Sequence, residues 1–263
     1  MNAAVEMPSP LQFSDAAAAK VKQYPDLIVG IKTAHFGKPG FVALKRAVEA
    51  GRLCGKPVLV DNSILTNTER STREKLLDIM RPGDLHSHSY NDRQIELLDR
   101  FTGKVQPYMW EARKRGVLFD LGHGGGSFIW PVAARAMRQG FVPDTISTDL
   151  HPGSDMIPQV DMPNCISKLM ALGMELPDAI RRSTVNPARA IHRFPELGTL
   201  GIGRTADIAV FELQSGVFAL KDSWGNKLLA RQKLEPVLTI RDGEIVYDLN
   251  GLAFPLWTAV PEH

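Results

Sequence analysis

Four short apolar runs, each closing on a residue able to hold a metal ion, constrain this chain more than any other feature. Leu27-Ile28-Val29-Gly30-Ile31 leads into Lys32, and later runs lead into His88, His123 and Asp149. Apolar runs at residues 27–32, 57–61, 84–89, 117–121 and 145–150 alternate with amphipathic windows, the cadence of parallel strands covered by helices. In barrels of that kind the active-site face is built from residues at the carboxyl ends of several strands, which is where these four would fall.

The windows between the runs carry helix signals. Pro39 opens one whose Phe41, Leu44 and Val48 share a face, with Gly51 near its end. Ser71 and Glu74 form a capping box, and Pro82-Gly83 closes that helix. Further helices are expected over 92–100, 107–115, 128–139 and 163–172. The expected class is therefore α/β: a partial TIM-type (β/α) barrel of about the last five βα units, which cannot close an eight-stranded barrel alone. Its span is residues 26–195, after an N-terminal segment at 1–25. A small β segment follows at 196–250, where Asp242-Gly243 between two apolar runs marks a hairpin, and residues 251–263 form a tail.

Composition excludes several classes. With 31 basic and 29 acidic residues the net charge is only +2, and no basic stripe interleaved with aromatics suggests a nucleic-acid partner. No apolar stretch approaches the roughly 20 residues of a spanning helix, and residues 1–10 lack the basic-then-apolar pattern of a secretory leader, so no membrane partner is expected. Cys54 and Cys165 are isolated thiols, which suits a reduced, cytoplasmic setting. A hydrophobic content of 44% in 263 residues supports a substantial core.

Each candidate taken alone has an ordinary explanation: a histidine at a strand end is often a hydrogen-bonded structural residue, and Ser-Thr-Asp is a common cap sequence. The glycines 124–126 serve equally as a turn or as backbone that approaches a substrate oxygen. The ordered series carries more weight, because neutral imidazole suits zinc and similar ions while a carboxylate both binds metal and takes a proton from water. His86 shares a strand with His88; His88 is taken as the ligand and His86 as a structural or supporting residue. Tyr90, Asn91, His35 and His151 lie just beyond the ligand positions and are candidate substrate contacts.

The segments Val29-Gly-Ile-Lys32, Gly83-Asp-Leu-His-Ser-His88-Ser-Tyr-Asn91, Gly122-His-Gly-Gly-Gly-Ser-Phe128 and Ser147-Thr-Asp149 together resemble the amidohydrolase superfamily, in particular its amidohydrolase/deacetylase metallohydrolases, which are dihydroorotase-like. Ser183-Thr-Val-Asn-Pro-Ala-Arg189 and the Gly198 to Asp207 stretch resemble that family's post-barrel helix and return strands. The resemblance covers roughly residues 20 to 250. It implies a carboxylated Lys32, its carbamate derived from CO2, bridging up to two divalent ions of which zinc is the expected one. His88 and His123 would complete one ion's ligands, and Asp149 would hold the other and shuttle the proton. It also implies hydrolysis of an amide or ester bond in a small acylated metabolite.

The family further takes a His-x-His pair from its first strand, and no histidine precedes Lys32 here. The expectation is an amino-truncated member that keeps one full ligand set, with an inactive metal-binding or partner-binding homologue as the alternative. Missing strands would leave open sheet edges, so a homo-oligomer is expected.

Overall fold

The computed structural model describes residues 14–33, 41–61, 76–91, 97–193 and 196–259, and residues 5–6 by their backbone alone. Among these, five parallel strands stand side by side in chain order: β1 (Val5–Glu6), β2 (Ile31–Thr33), β3 (Val58–Val60), β4 (Leu85–His86) and β5 (Leu118–Phe119). All four pairings are parallel, as Ile31 opposite Val58 and Leu85 opposite Leu118 illustrate. The run at 145–150 extends this layer without becoming a full strand. Asp120 bridges Thr145, and the Leu121, His123 and Gly124 amides donate to the Thr145, Ser147 and Thr148 carbonyls at 3.0, 3.1 and 2.9 Å.

The strands are short, yet most of their apolar residues are inaccessible. Ile31, Val58, Val60 and Phe119 are all buried. Helices α1 (Ser14–Gln23), α2 (Val42–Cys54), α3 (Pro107–Lys114) and α4 (Trp130–Arg138) connect or cover them, and α5 (Met162–Ala171), α6 (Leu176–Ser183) and α7 (Val185–Ala190) follow. In α2, Leu44, Ala47 and Ala50 face the sheet, and the chain leaves the helix at Gly55, whose left-handed conformation places the helix end four residues beyond Gly51. Proline in the first turn of α3, α4, α5 and α6 marks their starts.

Two features depart from the sequence expectation. The segment before residue 26 contributes β1 to the sheet edge and packs α1 against α2. The stretch expected as a helix over 92–100 is not helical at 97–100, where Leu98 bridges Val105 and the Asp99 carboxylate accepts the Phe101 and Thr102 amides in a turn. Residues 92–96 and the capping box at Ser71 and Glu74 lie outside the described residues.

The carboxyl-terminal part is a three-stranded antiparallel sheet, β6 (Ile208–Lys221), β7 (Lys227–Arg241) and β8 (Glu244–Asp248). Asp242 and Gly243, both at positive φ, form the expected hairpin turn. The β6–β7 ribbon docks on the α/β layer with buried Leu220, Ala230 and Leu234. Trp130 Nε1 donates to the Leu220 carbonyl at 3.1 Å, the Ser223 amide to the Phe128 carbonyl at 2.8 Å, and the Leu234 amide to Ser167 Oγ at 2.9 Å. Among the described residues no helix is long and apolar enough to cross a membrane.

Candidate metal centre

Strand order sets the site. Lys32 lies in β2, Asp61 one residue after β3, His88 two after β4, His123 four after β5, and Asp149 past the Thr145 bridge, so five polar side chains follow the carboxyl ends of neighbouring strands. Four of them converge. The Lys32 ammonium is 3.5 Å from Asp149 Oδ1 and 4.0 Å from Asp61 Oδ2, and His88 Nε2 is 3.4 Å from Asp61 Oδ2 and 3.9 Å from Asp149 Oδ2. Asp61 and His88 are buried, whereas the side chains of Lys32 and Asp149 keep 24% and 28% of their surface open, so the cluster is open to solvent from their side.

Backbone strain concentrates here. His88 and Asp149 have φ of 60° and 49°, a left-handed conformation uncommon for residues with a side chain. Two glycines make room for them. A Cβ on Gly122 would strike Ser87 Oγ and come within 2.9 Å of His88 Nδ1, and one on Gly124 would come within 2.9 Å of Asp149 Oδ2. Beneath the cluster, buried Asp120 accepts from the hydroxyls of Ser87, Ser147 and Thr145 at 2.7, 2.7 and 2.6 Å, which ties β4, β5 and the last strand segment together.

The imidazole of His88 has a defined polarity. Its Nδ1 lies 2.6 Å from the Gly122 carbonyl, which only accepts, so Nδ1 carries the proton and Nε2 faces the carboxylates. Burial opposes a charged His88, but the hydrogen bond and charge of Asp61, the Gly122 carbonyl and Asp149 outweigh it and raise the pKa above its ordinary value.

His123 has the same internal arrangement and a different neighbour. Its Nδ1 lies 2.7 Å from the Gly124 carbonyl, and its Nε2 lies 2.7 Å from the ammonium of Lys168, a buried residue of α5 that also donates to the Gln159 carbonyl at 2.7 Å. Burial and the adjacent Lys168 lower the His123 pKa to about 4, and burial lowers that of Lys168 to about 8. The ring stacks on Phe128, centroids 5.1 Å apart, on the side where the β ribbon docks.

The other candidates are dispersed. Tyr90, expected as a substrate contact, is a core residue instead: it is fully buried, and its hydroxyl donates to the Phe141 carbonyl at 2.8 Å. The reason is that positive φ at His88 redirects the chain, and Tyr90 then pairs with Phe128 in a parallel bridge. Asn91 is buried beside it, and His86 is buried with its ring 5.6 Å from Phe119. His151 lies in an exposed turn in which the Gly153 amide donates to its Nδ1 at 3.0 Å. His35 lies outside the described residues.

Asp61 and Lys168 escape a reading of the sequence. Asp61 had a signal, since it closes an apolar run as the other candidates do; Lys168 had none, being one polar residue on an otherwise buried helix face. Among the described residues no group of three or more His, Cys, Asp or Glu side chains is arranged to hold a metal ion. The Lys32 ammonium stands between the carboxylates of Asp61 and Asp149 instead.

A parallel sheet with a charged cluster at the carboxyl ends of its strands defines a (β/α)-barrel type of site. A sequence model described as the amidohydrolase family matches residues 130–246. A deacetylase of Enterococcus faecalis is 32% identical over 234 residues, covering 87% of this chain and 62% of that protein. A solved structure of an adenine deaminase superposes with a TM-score of 0.80 at 30% identity over 89% of this chain and 64% of that one. A dihydroorotase does so with a TM-score of 0.74 at 27% identity over 89% and 61%. The chain belongs to the amidohydrolase superfamily, and it spans about three-fifths of the length of these relatives.

Proposed function

We propose that this chain carries the metal centre of a hydrolase that cleaves an amide or ester bond in a small acylated compound, a deacetylase-like reaction. The observation that carries this reading is the meeting of Lys32, His88 and Asp149 from three separate stretches of the α/β layer, with His88 Nε2 directed at carboxylate oxygens. Two facing acceptors repel, so the geometry calls for a proton or a cation between them. The donor set fits a divalent ion: carboxylate oxygens, an imidazole whose tautomer is fixed by a carbonyl, and a lysine whose carboxylation supplies another anionic oxygen.

Lys32, His88 and Asp149 would hold the divalent ion, which would supply polarisation of the scissile carbonyl and a lowered pKa for bound water. The residues do the rest. Lys32 as an ammonium neutralises Asp149 and Asp61, but as a carbamate it would repel both, so its carboxylation and metal uptake are coupled. The Gly122 carbonyl holds His88 in one orientation. Asp149, the more open of the two carboxylates, accepts a proton from the attacking water and returns it to the leaving group.

The experiment is metal analysis of the full chain expressed with zinc, manganese or cobalt and bicarbonate, alongside hydrolysis of a panel of N-acetyl and O-acetyl compounds. At least one equivalent of metal and turnover of some panel member are expected; less than one equivalent with no turnover contradicts the reading. A second reading, an inactive homologue binding at most one metal, draws support from the Lys168 ammonium against His123. Turnover that His88→Ala abolishes would dispose of it.

A further inference from the structure

We propose that a cleft between the carboxyl end of α4 and the turn at 99–104 binds a small phosphorylated ligand of the nucleoside diphosphate class, with Arg135 and Arg138 on its phosphates and Phe101 stacked on its base. The cleft encloses about 430 Å³ and is lined by three arginines, Arg100, Arg135 and Arg138, together with Phe101, Thr102 and Gln139. That volume falls within the roughly 300–1,000 Å³ of small-ligand sites. The site is independent of the hydrolase reading. Helix α4 begins beyond the tip of β5 and ends before the strand segment that opens at Thr145, so its carboxyl end lies at the amino ends of the strands, opposite Lys32, His88 and Asp149.

Arg135 and Arg138 stand three residues apart on one helix face, where like charges repel. Arginine near a helix end often caps the last carbonyls, but these are already taken. Gln139 Nε2 donates to the Arg135 carbonyl at 2.9 Å, the Gln139 and Phe141 amides to that of Ala136 at 3.0 Å, and the Gly140 amide to that of Met137 at 2.9 Å. Among the described residues neither guanidinium has a hydrogen-bond or ion-pair partner. Arg100, which has a partner of its own, adds positive charge to the lining, and among the described residues no acidic side chain lines the cleft. The Asp99 carboxylate turns into its own loop, where Oδ1 accepts from the Phe101 and Thr102 amides and the Thr102 hydroxyl at 3.1, 2.9 and 3.0 Å. A guanidinium presents paired donors that match phosphate oxygens, and two neighbouring pairs suit a diphosphate.

The walls are set before a ligand arrives. Gln139 also donates to the Gly103 carbonyl at 3.0 Å and accepts from the Val105 amide at 2.9 Å, which joins the turn to the helix end. Phe101 is 94% exposed in that turn, and an open aromatic ring beside cationic groups is a stacking platform for a nucleobase. No histidine, cysteine, lysine or carboxylate among the described residues lines the cleft, and the Thr102 hydroxyl is committed to Asp99, so the site binds its ligand without reacting with it.

The test is calorimetric titration of the chelator-treated full chain with ADP, pyrophosphate and adenosine, each variant checked for native circular dichroism. ADP and pyrophosphate are expected to bind, ADP the more tightly, and adenosine is expected not to bind. Replacing both arginines, Arg135→Gln with Arg138→Gln, is expected to weaken ADP and pyrophosphate by at least about 100-fold, because two charge-assisted contacts are lost. Phe101→Ala is expected to weaken ADP by about 10-fold, the size of one lost base stack, and to leave pyrophosphate unchanged. Wild-type ADP affinity in the double variant overturns the proposal, as does ADP affinity unchanged in Phe101→Ala or a wild-type chain that binds neither phosphate compound. If the double variant fails to fold, Arg138→Lys decides, since it keeps the charge and loses the fork: about a 10-fold loss of ADP affinity supports the proposal and none overturns it. Tighter binding of a homopolymeric RNA than of ADP overturns the small-ligand assignment.

Discussion

His88 and His123 are the same residue in nearly the same setting, and their surroundings give them opposite chemistry. Each follows a strand of one parallel sheet, each is buried, and each has its Nδ1 proton held by a glycine carbonyl. His88 Nε2 then meets Asp61 and Asp149, and its pKa rises; His123 Nε2 meets Lys168, and its pKa falls to about 4. The lesson is that a ligand is defined by what faces its lone pair, and here a helix far along the chain makes that decision.

The largest expected contrast is in metal and turnover. His88→Ala should lose bound metal and reduce hydrolysis by at least about 1,000-fold, because the water loses its activation along with the ligand. His123→Asn should keep its metal by elemental analysis. Equal metal loss in the two variants would erase the distinction between the histidines.

Stability against pH separates them next, in chelator-treated protein. The folded pKa of His123 is lowered from 6.5 to about 4, so between these values the unfolded chain binds the extra proton and stability falls as pH falls. The shift corresponds to about 3 kcal/mol. His88 has the opposite sign: its folded pKa is raised, so its contribution is fully present below the unfolded value and is lost as pH rises through the folded one. Urea melts from pH 7 to pH 4 should show a shallower acid loss in His123→Asn than in wild type. Matching slopes would contradict the buried, lysine-paired environment.

Smaller effects probe the scaffold shared by both residues. Gly124→Ala should destabilise the fold by about 2 kcal/mol, since φ is +49° and the new methyl would meet Asp149 Oδ2 at 2.9 Å. Thermal melts check this, and an unchanged midpoint would show that the loop relaxes freely. Tyr90→Phe should cost about 1 kcal/mol, the worth of one buried hydrogen bond to the Phe141 carbonyl, and leave the KM of any panel substrate unchanged. A rise in KM would restore Tyr90 as a substrate contact.

Much of the architecture is legible in the sequence, because apolar runs ending in polar residues encode both a strand and the direction of its tip. Lys32, His88 and Asp149 are singled out this way, and the structure brings their side chains within 4.0 Å of shared partners. Asp61 is passed over because Asp-Asn-Ser after a strand reads equally well as the start of a loop. Lys168 is invisible because its meaning lies in a contact 45 residues away. Tyr90 is misassigned because a sequence does not reveal that the preceding histidine adopts positive φ and turns the next side chains inward. The β6–β7 ribbon is longer than its apolar pattern suggests, since residues such as Lys227, Lys233 and Glu235 interrupt the alternation while the ladder continues through them.

The decisive measurement is proton NMR of the cobalt-loaded full chain, read for hyperfine-shifted, exchangeable imidazole N–H signals. One such signal, lost in His88→Ala and retained in His123→Asn, is the expected result. A signal that survives His88→Ala, or one that His123→Asn removes, would show that the metal lies elsewhere and that the cluster around Lys32 is only an ion pair.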